Sequence, residues 1–204
     1  FWYERLLSRG VSFGGPAAKG GLTTLTLEDP DGLPVVLVGT DDVAPPPSAE
    51  ERSGVPPEAA VRGLHHVTFW SDQVEATGEV LTELLGFEPA DDAGTVRAYR
   101  APAEVGSVVY VRDASGFWPA AGGVGTLHHV AFRADMDAFP ERMRAYAAKR
   151  LLALSPQREH GYFRSTYFRE PSGAIVEVAS DGPGFAFDEP LRSLGERLVL
   201  PPDL

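Results

Sequence analysis

The tripeptide His65-His66-Val67 recurs as His128-His129-Val130, and these two stretches decide the fold. Histidine is scarce in this chain of 204 residues, yet four of its five histidines lie in the two matched pairs. Each pair opens a similar stretch of about 60 residues. We therefore interpret the chain as an internal repeat.

Both stretches contain the same order of predicted elements: a strand, a helix and then three short strands. In the first copy, the pattern predicts these elements at residues 63–70, 74–85, 87–91, 94–100 and 105–112. The second copy predicts them at residues 126–133, 136–148, 151–155, 164–169 and 174–179. The repeated unit is therefore βαβββ, and the predicted fold class is α+β.

Residues 63–118 and 119–180 form the two modules, and residues 1–40 look like a third, partial one. The partial module has a helix, a Gly-rich turn region and two strands at Leu22–Leu27 and Val35–Gly39. It lacks the first strand of the unit.

The remaining segments have the composition of connections rather than of modules. Residues 41–62 hold five prolines and several charges, which is typical of a linker. Residues 181–204 form a Gly- and Pro-rich tail, with a short helix predicted at Glu189–Leu198. Because the chain begins inside a helical pattern at Phe1, we expect a truncated N-terminus.

One carboxylate, Glu177, lies among Ile and Val in the last predicted strand of the second module. A buried charge without a partner costs several kcal/mol, and a metal ion is one such partner. The partial module has the same Pro-x-Gly turn and strand, and aligning Pro30 with Pro171 places Val36 where Glu177 stands. The strand tolerates an apolar residue there, so Glu177 does not serve the fold.

Strand alternation predicts which histidine of each pair faces away from the helix. His128 lies on the apolar face, whereas His129 lies beside Ala131 on the opposite face. The same count turns Glu177 away from the helix. We therefore expect His129 and Glu177 to converge, and His66 to hold the equivalent position in the first module.

The bulk composition limits the class of partner. A formal net charge of -11 argues against nucleic acid and anionic membranes, which are polyanions, and favours a small molecule. The chain has no cysteine and no apolar run near the roughly 18 residues of a membrane span. We expect a cytoplasmic protein that forms a homo-oligomer.

Three separated motifs carry a resemblance to a known family. They are GTLHHVAF (125–132), YFRSTYFREP (162–171) and DGPGFAFDEP (181–190). With the repeat, they resemble the vicinal-oxygen-chelate superfamily of glyoxalases, bleomycin-resistance proteins and extradiol dioxygenases, and within it the ring-cleaving dioxygenases of hydroquinones. The resemblance implies paired βαβββ modules that form cupped mixed sheets around a divalent metal.

The resemblance also implies a ligand set and a reaction. The family holds Fe(II), less often Mn(II), by two His and one Glu, and cleaves a hydroquinone-like or catechol-like aromatic with O2. His129 and Glu177 match two of the ligands. The family's remaining His comes from a first module that this chain lacks, so His66 is one candidate, and a histidine upstream or from a partner chain is the other.

Three further residues match positions around the metal in that family. Tyr167 matches a Tyr that hydrogen-bonds a substrate oxygen, and His128 matches a histidine outside the ligand shell. His160 stands where an Arg is usual, with Arg158 two residues earlier. Two of them have a structural alternative: Tyr167 as a strand aromatic and His160 as a solvated loop residue.

Two other functions remain open from the sequence. The chain could be a glyoxalase-fold binding protein or a degenerate copy that keeps half a site, and a third protein ligand would distinguish it from an enzyme. A glyoxalase-type isomerase usually uses a second carboxylate as a metal ligand, but Val36 and Tyr110 occupy the matching positions in this chain.

We predict that Glu177→Ala abolishes metal binding with little loss of stability, because Val36 shows that the strand accepts an apolar residue. Metal content measured beside the urea unfolding midpoint checks both halves. Full metal occupancy in a well-folded Glu177→Ala protein would remove Glu177 from the site.

Overall fold

The fold was analysed in a computed structural model of the chain. The structure describes residues 1–19, 21–41, 54–93, 95–103, 105–118, 121–135 and 137–200. Contacts divide the chain into two compact units. Unit 1 comprises Phe1–Asp72 and Phe87–His128, and unit 2 comprises Gln73–Gly86 and His129–Leu204. Most of the predicted linker and the last four residues lie outside the described residues.

The regular elements are three helices and eleven strands among the described residues, together with short 3-10 turns. The described helices are α1 (Trp2–Ser8), α2 (Val74–Glu79, continued by a π-helical turn at Val80–Leu84) and α3 (Phe139–Arg150). The first strands are β1 (Phe13–Lys19), β2 (Leu22–Glu28), β3 (Pro34–Gly39), β4 (His66–Ser71), β5 (Glu88–Ala93), β6 (Val96–Arg100) and β7 (Val108–Asp113). The last are β8 (Val130–Arg133), β9 (Arg158–Glu159), β10 (Arg164–Arg169) and β11 (Ile175–Ala179).

Two of the sheets have the same topology. The strand orders are β4-β7-β6-β5 and β8-β11-β10-β9, so the first strand of each module pairs with its last. Those two pairs, β4 with β7 and β8 with β11, are parallel, and the other pairs are antiparallel. The predicted α+β class with mixed sheets is therefore confirmed.

The third sheet has a strand where the sequence predicted a turn region. β1 pairs with β2 in an antiparallel sheet of order β1-β2-β3. Its sequence FGGPAAK is poor in strand-forming residues, which is why the pattern missed it. The register shifts between Gly14 and Ala17, so a bulge lets the Gly-Pro segment join the sheet.

The predicted strand at 151–155 is also wrong. Leu151 ends α3 in the left-handed conformation at φ 54°, and within this stretch only Leu154 bridges to β10, opposite Phe168. Pro156 follows, and proline has no N–H for a strand ladder. The paired strand lies further on, where Arg158 and Glu159 form β9.

The tail contains less helix than the sequence predicted. Within Glu189–Leu198 the described structure has a three-residue 3-10 turn, Leu191–Ser193, and a second such turn precedes it at Phe185–Phe187. None of the described helices is both long enough and apolar enough to cross a membrane.

Each unit has its own apolar core. In unit 1, β-branched and aromatic side chains of the second sheet are buried, including Val109, Val111, Phe69 and Tyr99. In unit 2, the sheet that carries β11 contributes Phe168, Val176 and Val178, and the helices contribute Leu81, Leu84 and Met143. Helix α2 thus belongs to unit 2, although the strands on either side of it belong to unit 1.

A buried carboxylate, Glu170, connects α2 to the turn between β10 and β11. The side chain of Thr77 in α2 donates to Glu170 Oε2 at 2.7 Å. The backbone N–H of Ala174 donates to Oε1 at 3.0 Å, and the Ser172 hydroxyl donates to the same oxygen. These donors satisfy a charge that is only 3% exposed, so the turn and the helix are fixed together.

We predict that Glu170→Ala lowers the free energy of unfolding by about 2 kcal/mol or more, because it leaves buried donors without an acceptor. Urea unfolding followed by circular dichroism measures this change. Glu159→Ala on exposed β9 is the matched control and should cost about 0.5 kcal/mol or less. Equal losses in both variants would contradict the role of Glu170.

Candidate active site

His129 and Glu177 form the centre of the candidate site. Parallel pairing of β8 with β11 sets Glu177 opposite Ala131, and His129 directly precedes β8. The two side chains meet, with His129 Nε2 at 2.9 Å from Glu177 Oε2. The Glu177 side chain is only 4% exposed, whereas that of His129 is 34% exposed. The structure therefore brings together the pair that the sequence predicted.

Tyr167 completes this cluster from the neighbouring strand. Antiparallel pairing of β10 with β11 sets Tyr167 directly opposite Glu177. The Tyr167 hydroxyl donates to Glu177 Oε1 at 2.6 Å. Its ring packs edge-on against the His129 ring, with the centroids 5.7 Å apart. One carboxylate thus contacts the other two residues through its two oxygens.

The environment of Tyr167 keeps its hydroxyl protonated. Burial raises the pKa of Tyr167, and its hydrogen bond to Glu177 raises that pKa further. The nearby Ser165 side chain and the positive charge of Arg158 act in the opposite direction, but the net pKa stays above the ordinary value. At neutral pH Tyr167 is therefore a hydrogen-bond donor.

His160 lies near this cluster without touching Glu177. It is exposed at the end of β9, its ring stacks on Phe163 at 4.7 Å between centroids, and its Nε2 lies 3.0 Å from Ser165 Oγ. Nothing in the sequence pattern alone marks Ser165, which is fully buried in the structure. Its position two residues before Tyr167, on the same face of β10, is the signal that would have found it.

The other two predicted site residues are placed differently. His128 is exposed, and it is His129 that contacts Glu177. His66, in unit 1, is half-buried; its Nδ1 lies 2.8 Å from Nδ1 of His65, and its ring packs edge-on against Tyr110 at 4.8 Å.

The His66 contact is the repeat's counterpart of the His129 contact. Tyr110 pairs with Thr68 across β4 and β7, just as Glu177 pairs with Ala131 across β8 and β11. The position of the carboxylate is thus occupied by a phenol in the first module. His66 as the third ligand stays a prediction.

The donor atoms of the cluster fit part of a metal site. An imidazole nitrogen and a carboxylate oxygen converge, and these are common ligands of Fe(II) and Mn(II). The burial of Glu177 among apolar strand residues leaves its charge in need of compensation, which a cation supplies. Among the described residues, no group of three or more His, Cys, Asp or Glu is arranged to hold a metal ion.

Tyr167 also lines an open groove of about 390 Å³ along the edge of the sheet. The groove walls come from β10, β11 and the segment before β9, and they include Leu154, Phe168, Arg169 and Ile175. Apolar side chains with a few polar groups are typical of sites for small organic molecules.

The sequence and the fold are similar to those of one group of proteins. No protein-family model matches the chain. The chain is 30% identical over 201 residues to "Putative ring-cleaving dioxygenase MhqO" of Bacillus subtilis (strain 168), covering 98% of this chain and 63% of the relative. It is 29% identical over 213 residues to "Chlorohydroquinone/hydroquinone 1,2-dioxygenase" of Sphingobium indicum, covering 100% of this chain and 64% of that protein.

Solved structures agree with these relatives. A crystal structure described as "putative dioxygenase from Bacillus subtilis subsp. subtilis str. 168" superposes with a TM-score of 0.86 at 30% identity, covering 98% of this chain and 64% of that one. A glyoxylase/bleomycin resistance protein/dioxygenase domain from Frankia sp. EAN1pec shares the fold at 17% identity, with a TM-score of 0.52 over 62% of this chain and 97% of that one.

The fold is therefore that of the vicinal-oxygen-chelate superfamily, as the sequence motifs implied. Within it, the homologues of this chain are proteins named as ring-cleaving dioxygenases. The chain spans just under two thirds of the length of these relatives.

We predict that stability falls as the pH is lowered through the ordinary histidine range, in part because of His66. Burial, and then the neighbouring His65, lower the pKa of His66. The unfolded chain therefore binds a proton at a higher pH than the folded chain does, and the stability present above a pH of about 6.5 is lost below it. Urea unfolding with a chelator, from pH 7.5 to 5.5, measures this loss, and His66→Gln should flatten the slope. Identical slopes would contradict it.

Proposed function

We propose that this chain carries the metal-binding and substrate-binding residues of a ring-cleaving dioxygenase, which opens a hydroquinone-like or catechol-like aromatic with O2. The observation that carries the proposal is the contact of Glu177 with His129 at 2.9 Å and with Tyr167 at 2.6 Å. A carboxylate on β11, a phenol on β10 and an imidazole just before β8 suit the chemistry of a phenolic substrate at a metal. The names of the homologues support the same reaction.

His129 and Glu177 are the proposed ligands, with His66 as the candidate third, and Fe(II) is the proposed metal, with Mn(II) as the alternative. When bound, such a metal would allow electron transfer from the aromatic ring to O2. Glu177 holds a buried negative charge that attracts the cation, and His129, whose side chain is 34% exposed, leaves one side of the cluster open to small molecules.

Tyr167 is proposed to orient the substrate. Because its pKa is raised, it keeps its proton, and its hydroxyl can donate to an oxygen of the ring. His128 is proposed to support the site from outside the ligand shell, and His160 to act at its margin. The proposed partners are thus a small aromatic molecule and O2, in a homo-oligomeric protein.

The strand alternation that separates His128 from His129 provides a matched test. His129→Ala should reduce the content of Fe(II) or Mn(II) to background, because it removes a ligand. His128→Ala should weaken metal affinity by about 10- to 100-fold or less. Metal analysis after reconstitution, beside circular dichroism to confirm the fold, measures both. Full metal retention in His129→Ala would sink the assignment.

Catalysis is tested on the same samples. The Fe(II)-loaded protein, given hydroquinone, chlorohydroquinone or catechol, should consume O2 and lose the aromatic absorption of the substrate. Glu177→Gln should abolish both signals. A protein that binds metal and a substrate but consumes no O2 would instead be a glyoxalase-fold binding protein.

A further inference from the structure

Arg169 lies on the same face of the sheet as the candidate site. It follows Tyr167 by two residues in β10, and side chains two positions apart in a strand point to the same face. The strand pairing agrees, because Arg169 lies opposite Ile175 whereas Tyr167 lies opposite Glu177. Arg169 and Ile175 are therefore the next cross-strand pair on this face, about 7 Å along the strands from the candidate site.

This next pair of side chains lines the groove beside Tyr167. The groove has a volume of about 390 Å³, and Arg169 and Ile175 both form part of its wall. Its other lining residues are uncharged: Ala153, Leu154, Ser155, Tyr167 and Phe168. Among the described residues that line the groove, Arg169 thus carries the only formal charge. Apolar walls with one charged group are typical of a site that orients a small organic ligand.

The charge of Arg169 is not neutralised by a carboxylate in the described part of the chain. Its Nη1 donates to the carbonyl oxygen of Gly173 at 2.9 Å, which holds the guanidinium in place and uses one of its N–H donors. Arg164, at the other end of the same strand, instead pairs with Asp137 at 2.8 Å. The groove therefore offers a positioned cation in a protein whose formal net charge is -11.

We propose that Arg169 selects aromatic substrates that carry a carboxylate on the ring. The proposal rests on the proposed function, which places a ring hydroxyl beside Glu177 and Tyr167. A separation of about 7 Å between neighbouring pairs on one face is close to the length of one substituted benzene ring. A carboxylate on the far side of that ring reaches Arg169, and a guanidinium can bind a carboxylate through two parallel hydrogen bonds. The substrate class is thus a carboxylated hydroquinone.

The charge of the ligand is the property that distinguishes this role from simple fit. A ring carboxylate is ionised at neutral pH, because carboxyl groups titrate near about pH 4. Glu177 and the net charge of the protein repel such an anion, whereas Arg169 attracts it. The corresponding amide has nearly the same shape but no charge, so its hydrogen bond to Arg169 is weaker. A comparison of acid and amide therefore isolates the contribution of the guanidinium.

The test measures the dissociation constants of 2,5-dihydroxybenzoate and 2,5-dihydroxybenzamide by isothermal titration calorimetry, on the chain supplied with Mn(II) under nitrogen. The wild-type chain should bind the acid about tenfold or more tightly than the amide. Arg169→Met keeps the length of the side chain and removes its charge, so the two dissociation constants should become equal. Arg164→Met is the matched control. It should keep the preference, because Arg164 lies on the opposite face of β10 and pairs with Asp137.

The comparison of the two ligands on the wild-type chain needs no variant, so it decides the matter even where Arg169→Met does not fold. Equal affinities for acid and amide, no binding of the acid, or a preference that survives in a folded Arg169→Met chain would overturn the proposal. Oxygen consumption by the Fe(II)-loaded chain separates the two claims. A preference for the acid without O2 consumption would keep the role of Arg169 and reject only the dioxygenase function. O2 consumption with equal KM for acid and amide would do the reverse.

Discussion

The parallel pairing of β8 with β11 is the constraint on which the candidate site depends. A βαβββ module returns its last strand to the side of its first, so His129 and Glu177 become neighbours although 48 positions separate them in the sequence. The helix between them provides the crossover that parallel strands require. Tyr167 then joins through ordinary antiparallel pairing, so the three side chains need no special loop to bring them together.

Burial makes the charge of Glu177 costly in free energy unless that charge has partners. Glu177 lies in a strand whose neighbours Val176 and Val178 are almost fully buried, so its charge depends on the partners at its two oxygens. The partial module has Val36 at the equivalent place, exposed on β3, and that strand needs no polar partner. The carboxylate therefore adds cost to a strand that would form without it.

Period-two alternation predicted the most important contact, because a strand offers its side chains only two faces. It separated His129 from His128 and turned Glu177 toward His129. The alternation did not predict β1 and β9. Gly and Pro in or near these segments lower the strand propensity of the sequence, and the strands form through pairing with their neighbours. Ser165 escaped notice because a small hydroxyl in a strand has no chemical signature until its neighbours are known.

Because α2 belongs to unit 2, this unit is complete only after the intervening residues of unit 1 have been synthesised. Residues 73–86 belong with residues 129–204, and residues of unit 1 lie between them in the chain. Thr77 precedes its partner Glu170 by 93 residues in the sequence, so Thr77 is synthesised well before Glu170. A fragment consisting of the second module alone would lack that partner. The duplicated module is therefore a unit of sequence, whereas the compact unit of the structure is assembled from two separate lengths of chain.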